Sequence, residues 1–388
     1  MKNKKKICVV INNRANYARI KSFLLLANAD KKVDLKIILA GSSHLFKYGD
    51  ITKIIKKDKL KIHIKLHTVV EGNDPVCMVK TTANLMNELT TAFKNIKPDI
   101  VVVIADRHEN LAVAIAASYM NICLAHIQGG EVTGSIDESV RHAITKLSHI
   151  HFPSTNRAKN FLIRLGEDKK SVFKTGCPSL DLVKNTNKKI DKNFNNRNAF
   201  VGDIINFKKD YLVYLFHPVT TEFKNNNIYI NEVLKTIDTM NGNIQIVILW
   251  PNVDSGTDFI SKSIRVYLNK KRNIKISAYK NFSPEDYIKL IYNSKCLIGN
   301  SSSGIRESSY LGLPVVNIGS RQKNRERGPN VIDVKNKATD ISTAIKKQII
   351  KKKYQPSSLY GQGDAGKKIL KVLLSKDISI HKVLNYLE

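Results

Sequence analysis

Short runs of β-branched and other apolar residues alternate with amphipathic stretches along most of this chain, and no other feature limits its fold so strongly. Residues 7–11 are followed by an amphipathic 17–28 and then by 33–39; residues 100–104 precede 110–120, and residues 123–127 precede 139–147. Strands that are apolar at nearly every position are buried on both faces, which predicts parallel sheets covered by helices. The rhythm fails over residues 185–209, where Asn and Lys dominate and apolar periodicity is lost, as in a linker or a surface excursion. It restarts with 211–216, 245–250, 274–277, 296–298 and 315–318. A chain of 388 residues exceeds one ordinary core. The reading is an α/β protein with two doubly wound, Rossmann-like domains, residues 1–184 and 210–360, followed by C-terminal helices in 361–388. In such sheets ligands bind at the carboxyl ends of the strands, so the residues just after each strand matter most for function.

Composition removes several classes. Lys and Arg number 64 against 33 Asp and Glu, a net charge of +31, which by itself points to polyanions. The excess is spread over the whole length, at Lys4, Lys56, Lys188, Lys271 and Lys352 among others. A nucleic-acid groove needs clustered charge interleaved with aromatics, so this is a solvated Lys-rich surface and no nucleic acid is expected as partner. Cys8, Cys77, Cys123, Cys177 and Cys296 form no CxxC pair, which argues against structural metal and against a disulfide framework. The apolar run 7–11 is too short for a signal peptide, and nothing approaches the ~18 apolar residues of a membrane span. A soluble, cytoplasmic chain with no membrane partner is the expectation.

The strand ends carry the chemistry. After the first strand come Asn12, Asn13 and Arg14; there is no GxGxxG, so a dinucleotide fingerprint is absent. Arg14 suits either a phosphate clamp or a surface position at a helix start. Residues 100–104 run into Asp106, Arg107, His108 and Glu109, and residues 123–127 into Gln128, Gly129, Gly130 and Glu131, with Asp137, Glu138, Arg141 and His142 beyond. Unpaired charges are costly to bury, so these must face solvent or a cleft. Two acidic strand ends in succession favour a catalytic cleft. In the second half, residues 211–216 lead to His217 and Pro218, and residues 245–250 to Pro251 and Asn252. Residues 299–307 read Gly-Asn-Ser-Ser-Ser-Gly-Ile-Arg-Glu. Between strand and helix, such small residues offer backbone N–H groups and a positive helix end to a phosphate, or else form an N-capping Ser run. Glu307 is placed to accept the vicinal hydroxyls of a ribose. Arg321, Arg325 and Arg327 follow the next strand, as a pyrophosphate cluster or as surface charge. Among the histidines, His44 follows the second strand on the site side, whereas His63, His67, His149 and His151 read as structural or surface residues.

Together these segments closely resemble the hydrolysing UDP-N-acetylglucosamine 2-epimerases of sialic-acid and nonulosonic-acid biosynthesis. The resemblance rests on Asn13-Arg14-Ala15-x-Tyr17, Asp106-Arg107, His126-Ile127-x-Gly129-Gly130-Glu131, residues 135–147, Gly176-Cys177-Pro178-Ser179, residues 217–221 and 251–254, the 299–307 segment and Gly319-Ser320-Arg321-Gln322. It covers nearly the whole chain. It implies a glycosyltransferase-B-type arrangement of the two domains, the active site in the cleft between them, and the last helix packing back on the first domain. It also implies a homodimer or homotetramer and no organic redox cofactor. By the same resemblance, Arg14, Arg107, His217, Asn252, Ser301, Ser302, Glu307 and Arg321 hold UDP. Asp106, Glu131, Asp137 and His217 surround the reacting sugar, with His44 and Gln128 beside it. The implied reaction turns UDP-N-acetylglucosamine and water into N-acetylmannosamine and UDP, by elimination to 2-acetamidoglucal and hydration. Gln128 departs from the pattern: many relatives carry Glu there as a candidate base, and an amide takes up no proton at neutral pH. That departure shifts the proton transfers to Glu131, Asp137 or Asp106. It also admits another nucleotide sugar, UDP- or GDP-2,4-diacetamido-2,4,6-trideoxyglucose. A glycosyltransferase of the same architecture is the alternative from another class; three acids on the first domain speak against it, because an acceptor site needs one base.

Overall fold

The computed structural model describes residues 4–72, 74–240, 243–251, 254–270, 272–376, 379–383 and 385. The chain divides into two compact units, one made of Met1–Val132, Ile136–Lys184 and Tyr360–Glu388, the other of Thr133–Ser135 and Asn185–Leu359. Among the described residues, no helix is long and apolar enough to cross a membrane.

The first unit is built on six strands: β1 (Lys5–Ile11), β2 (Val33–Leu39), β3 (Ile64–Lys65), β4 (Ile100–Ile104), β5 (Cys123–Ile127) and β6 (Ile150–Phe152). They pair in the order β3-β2-β1-β4-β5-β6, parallel throughout, as expected from the largely apolar character of the central strands. In β1, Ile7, Val9 and Ile11 enter one core while Cys8 and Val10 enter the opposite one, the two-residue period of a strand covered on both faces. The first core is completed by Tyr17, Ile20, Phe23 and Leu24 of helix Arg14–Ala29 and by Ile369, Leu370 and Leu373 of helix Ala365–Ser375. The opposite core takes Leu85, Leu89 and Phe93 from helix Pro75–Ile96 and Ala112 and Val113 from helix His108–Tyr119.

The second unit contains β7 (Phe200–Gly202), β8 (Tyr211–Leu215), β9 (Gln245–Leu249), β10 (Ile276–Tyr279), β11 (Cys296–Gly299), β12 (Val315–Ile318) and β13 (Val331–Val334), in the order β13-β12-β11-β8-β9-β10-β7. All pairings are parallel except β7, which runs antiparallel along β10. Residues 185–209 are therefore more than the connector their composition suggests. They hold helix Phe194–Arg197 and the edge strand β7. Phe194 is buried, with ring centroids 4.9 Å from Phe207 and 5.6 Å from Phe282. Arg197 binds both Asp286 and Asp191 at 2.6 Å. A few aromatic anchors at irregular spacing do here what periodic apolar residues do elsewhere.

Candidate active site

In the first unit the strand order reverses between β1 and β4, the point at which an open α/β sheet leaves a crevice beyond its carboxyl edge. Buried amides tie these two strand ends together: Asn12 Nδ2 donates to Asn110 Oδ1 at 2.9 Å, and Asn110 Nδ2 to Ile104 O at 2.6 Å. Asn13 caps helix Arg14–Ala29 by accepting from Asn16 N, which puts the partly buried Arg14 on the first turn. The chain leaves β4 through Ala105 and β5 through Gln128, both with φ near +69°, a left-handed conformation that costs a non-glycine residue roughly 1–2 kcal/mol. Each turns the following acidic segment across the sheet edge. Gly130, at φ +76°, has no room for a side chain, since a Cβ there would stand 2.2 Å from Ala158 O.

The acids gather around one guanidinium. Arg141, wholly buried on helix Asp137–Leu147, ion-pairs with Asp106, donates to the main-chain oxygen of Glu131 at 2.8 Å and reaches Glu138 Oε2 at 3.2 Å. Burial works against its charge, but the carboxylates of Asp106, Glu131 and Glu138 outweigh this and raise its pKa above the ordinary arginine value. Asp137 stands one turn earlier on the same helix face, at the i, i+4 spacing. Asp106 and Glu131 are both buried, at 8% and 5% exposure. Behind them His126 is kept neutral, its pKa pushed down to about 3 by burial. Its Nε2 donates to Ala105 O at 2.9 Å and its Nδ1 accepts from Thr145 Oγ1 at 3.2 Å.

Three further expected residues have more structural surroundings. Arg107 grips Glu109 with two donors, at 2.9 and 3.1 Å. Burial pushes the Glu109 carboxyl up, but Arg107 and His108 reverse this and hold it at about 2. Sequence reasoning placed Glu109 in the acidic cluster after β4 but not its pairing with Arg107, because neighbours two apart on a helix start do not announce a pair. His44 is nearly buried, with its Nε2 3.4 Å from His67 Nδ1; burial, then His67 and Lys65, lower its pKa. Gln128 is fully buried, its Nε2 donating to Cys177 Sγ at 2.9 Å, while its Oε1 has no hydrogen-bond partner among the described residues.

In the second unit the sheet order turns between β8 and β11, and one side chain bridges the two strand ends. Asn300 Oδ1 accepts from His217 N at 2.7 Å and Asn300 Nδ2 donates to His217 O at 2.8 Å. The Asn300 carbonyl then accepts from Arg321 Nη1 at 3.2 Å and Gln322 Nε2 at 2.9 Å, so residues after β8, β11 and β12 converge on it. Gly299 makes this approach possible: at φ +142°, a Cβ would lie 1.9 Å from Leu215 O. Asn300 was legible only as one letter of a Ser-rich motif; its bridging role needed the topology.

The phosphate cradle expected from backbone N–H groups takes a different form. Ser303 N turns to Ser301 Oγ at 3.4 Å, Gly304 N to Ser301 O at 3.1 Å, and Ile305 N and Arg306 N to Ser302 O at 3.0 Å. The helix beyond, Glu307–Leu311, has only five residues. The reason is a 3-10 turn, Ser302–Gly304, inserted between strand and helix. The N–H groups of residues 303–306 are thereby used within their own turn, and Ser301 serves as its N-cap. Arg325 and Arg327 bind Gln322 at 2.8 and 2.7 Å, and Arg327 pairs with Asp333. Glu307 is buried at 9% exposure, and its Oε2 has no hydrogen-bond partner among the described residues. Asn252, also expected at this edge, lies outside the described residues.

Comparison with known proteins bears on the family and the fold. A family described as UDP-N-acetylglucosamine 2-epimerase matches residues 26–374. The UDP-N,N'-diacetylbacillosamine 2-epimerase (hydrolyzing) of Legionella pneumophila is 34% identical over 382 residues, 98% of each chain. The GDP/UDP-N,N'-diacetylbacillosamine 2-epimerase (hydrolyzing) of Campylobacter jejuni is 34% identical over 348 residues, 89% of this chain and 88% of that one. In fold, the chain is similar to the crystal structure of Methanocaldococcus jannaschii UDP-GlcNAc 2-epimerase in complex with UDP-GlcNAc and UDP, with a TM-score of 0.77 at 18% identity, over 96% of this chain and 100% of that one. With its two Rossmann-like sheets and acid-rich strand ends, this chain belongs to the UDP-N-acetylglucosamine 2-epimerase family of nucleotide-sugar enzymes.

Proposed function

We propose that this protein is a hydrolysing 2-epimerase of a UDP-linked 2-acetamido sugar, and that UDP-N,N'-diacetylbacillosamine, which is UDP-2,4-diacetamido-2,4,6-trideoxyglucose, ranks ahead of UDP-N-acetylglucosamine as its substrate. The observation that carries the reaction is the group of acids drawn around buried Arg141 at the carboxyl edge of the first sheet. The ranking rests on the names of the two 34% identical relatives. Gln128, an amide where many relatives carry Glu, is consistent with it. UDP-N-acetylglucosamine stays as the second reading because the family description names it.

The C2 proton of the sugar is only weakly acidic, so its removal is coupled to departure of UDP from C1. One carboxylate among Asp106, Glu131 and Asp137 takes the proton, the C2–H electron pair becomes the C1–C2 double bond, and the C1–O bond breaks. Another of these carboxyls then delivers a proton to C2 from the opposite face while water adds its hydroxyl at C1, the proton that the water loses passing to a carboxylate of the group. The sum is nucleotide sugar plus water giving the free 2-epimer plus UDP. Gln128 can orient the sugar but transfers no proton. Arg14, Arg107, Arg321 and His217 would offset the charge growing on the diphosphate, with Ser301 and Ser302 as hydroxyl donors. The buried Glu307 Oε2, lacking a partner, suits the ribose hydroxyls.

The test is proton NMR of product formation in deuterated water with UDP-N,N'-diacetylbacillosamine, its GDP counterpart and UDP-N-acetylglucosamine offered separately. The expected result is free UDP together with a free sugar epimerised and deuterated at C2. Epimerisation without UDP release would replace the hydrolysing reading, and no turnover of any of the three would overturn it.

A further inference from the structure

The helix that carries Asp137 and Arg141 is held at its other end by the last part of the chain. The Lys382 ammonium donates to Thr145 O at 2.8 Å and to Ser148 O, and pairs with Glu167 Oε2 at 2.6 Å. Thr145 and Ser148 close helix Asp137–Leu147; Thr145 O already accepts from Ser148 N at 3.1 Å, so Lys382 is a second donor to it and also reaches Ser148 O, past the last turn. A cation is favoured there by both hydrogen bonding and the helix dipole. Lys382 is fixed in turn: Glu167, with 1% of its side chain exposed, also binds His151 at 2.8 Å and Lys146 at 3.0 Å. The flanking backbone is pinned as well, Asn385 N to Gly166 O at 3.0 Å and His149 Nε2 to Ile380 O at 3.1 Å. None of these groups serves the reaction described above.

Thr145 is the shared node. Its carbonyl receives Lys382, and its hydroxyl bonds His126, whose other nitrogen holds the Ala105 carbonyl. Ala105 is the left-handed residue that turns Asp106 across the sheet edge. An α-helix is stiff along its axis, so fixing one end of these 11 residues fixes where the other end presents its side chains.

We propose that Lys382 is a positioning residue: by capping the C-terminal end of helix Asp137–Leu147, it sets the placement of Asp137 and of the Arg141–Asp106 pair against the reacting sugar. This rests on the functional reading above. Lys382→Met keeps the alkyl stem and removes the charge, so the last turn loses this cation while Glu167 keeps Lys146 and His151 as neighbours.

The experiment uses the full chain. Lys382→Met, Lys382→Arg and a chain ending at Lys376 are compared by steady-state UDP release and by amide hydrogen exchange. In Lys382→Met, kcat is expected to fall about tenfold, a size within reach of a partly buried helix-end cation. KM should change less than about twofold, because the groups proposed to bind the nucleotide lie mostly on the second unit. Lys382→Arg should recover most of kcat, and the shortened chain should match Lys382→Met. Exchange should speed up at both ends of the helix, including residues 137–141. An unchanged kcat, or faster exchange confined to residues 145–148, would overturn the proposal. The exchange readout needs no turnover, so failure of the assigned reaction and failure of the cap are told apart; if one variant does not fold, the other is read alone.

Discussion

A carboxylate as deeply buried as Glu109 is tolerated because Arg107 and His108 stand against it. Its folded pKa of about 2 lies below the ordinary value of 4.5, so its contribution to stability is complete above pH 4.5 and disappears as the pH falls toward 2. Glu109→Gln should therefore cost on the order of 2–3 kcal/mol at pH 7. The gap from the wild type should close progressively between about pH 4.5 and 2, read from urea midpoints along a pH series. A gap that stays constant over that range would mean the charge pairing is not what stabilises the site. At this scale the sequence names chemistry but not partners. Asp106 and Arg141, 35 positions apart, meet only because β4 and β5 are neighbours and the following helix packs back on them. Ala105 and Gln128 carry no mark in their identity of the left-handed backbone they adopt; a glycine would have announced it.

Elements were legible in proportion to their burial. β2, β4, β5 and β12 lie where apolar runs predict them, because a strand covered on both faces is mostly apolar; β2 admits Asp34 and Lys36 only where it is half-buried. The strands that escaped, β3, β6, β7 and β13, are short, and all four stand at sheet edges, where pairing with one neighbour needs little apolar side chain. The start of helix Ala365–Ser375 was equally hidden, because its cap comes from a distant residue. Asp181 accepts from Ala365 N at 2.9 Å and Gly366 N at 2.7 Å. Asp181→Ala leaves both N–H groups buried without this acceptor, at an expected cost of about 2 kcal/mol. Thermal unfolding of the first unit should drop by about 5 °C. No change in that transition would mean the helix is held by its apolar face alone.

At the scale of the molecule, the first unit is assembled from both ends of the chain, and the second is almost one continuous stretch with its own core. Removing residues 360–388 takes Ile369, Leu370 and Leu373 out of the first core, at about 1.5–3 kcal/mol for each side chain. That loss is comparable with the whole stability of a domain, ~5–15 kcal/mol. Limited proteolysis of the shortened chain, read by mass spectrometry, should digest the first unit and spare a fragment within residues 185–359. Simultaneous loss of both would mean the second unit does not stand alone. The sequence by itself determined the α/β class, the parallel sheets and which strand ends hold acids, hydroxyls and arginines, because those follow from local periodicity and from the cost of burying charge. Only the tertiary structure decided that Arg141 gathers the acids, that Asn300 joins His217 to Arg321, that Ser303 to Arg306 use their N–H groups within their own turn, and that the chain end returns to cap a helix. Each of these depends on strand order and on contacts between residues far apart in the chain, and local sequence pattern carries no information on either.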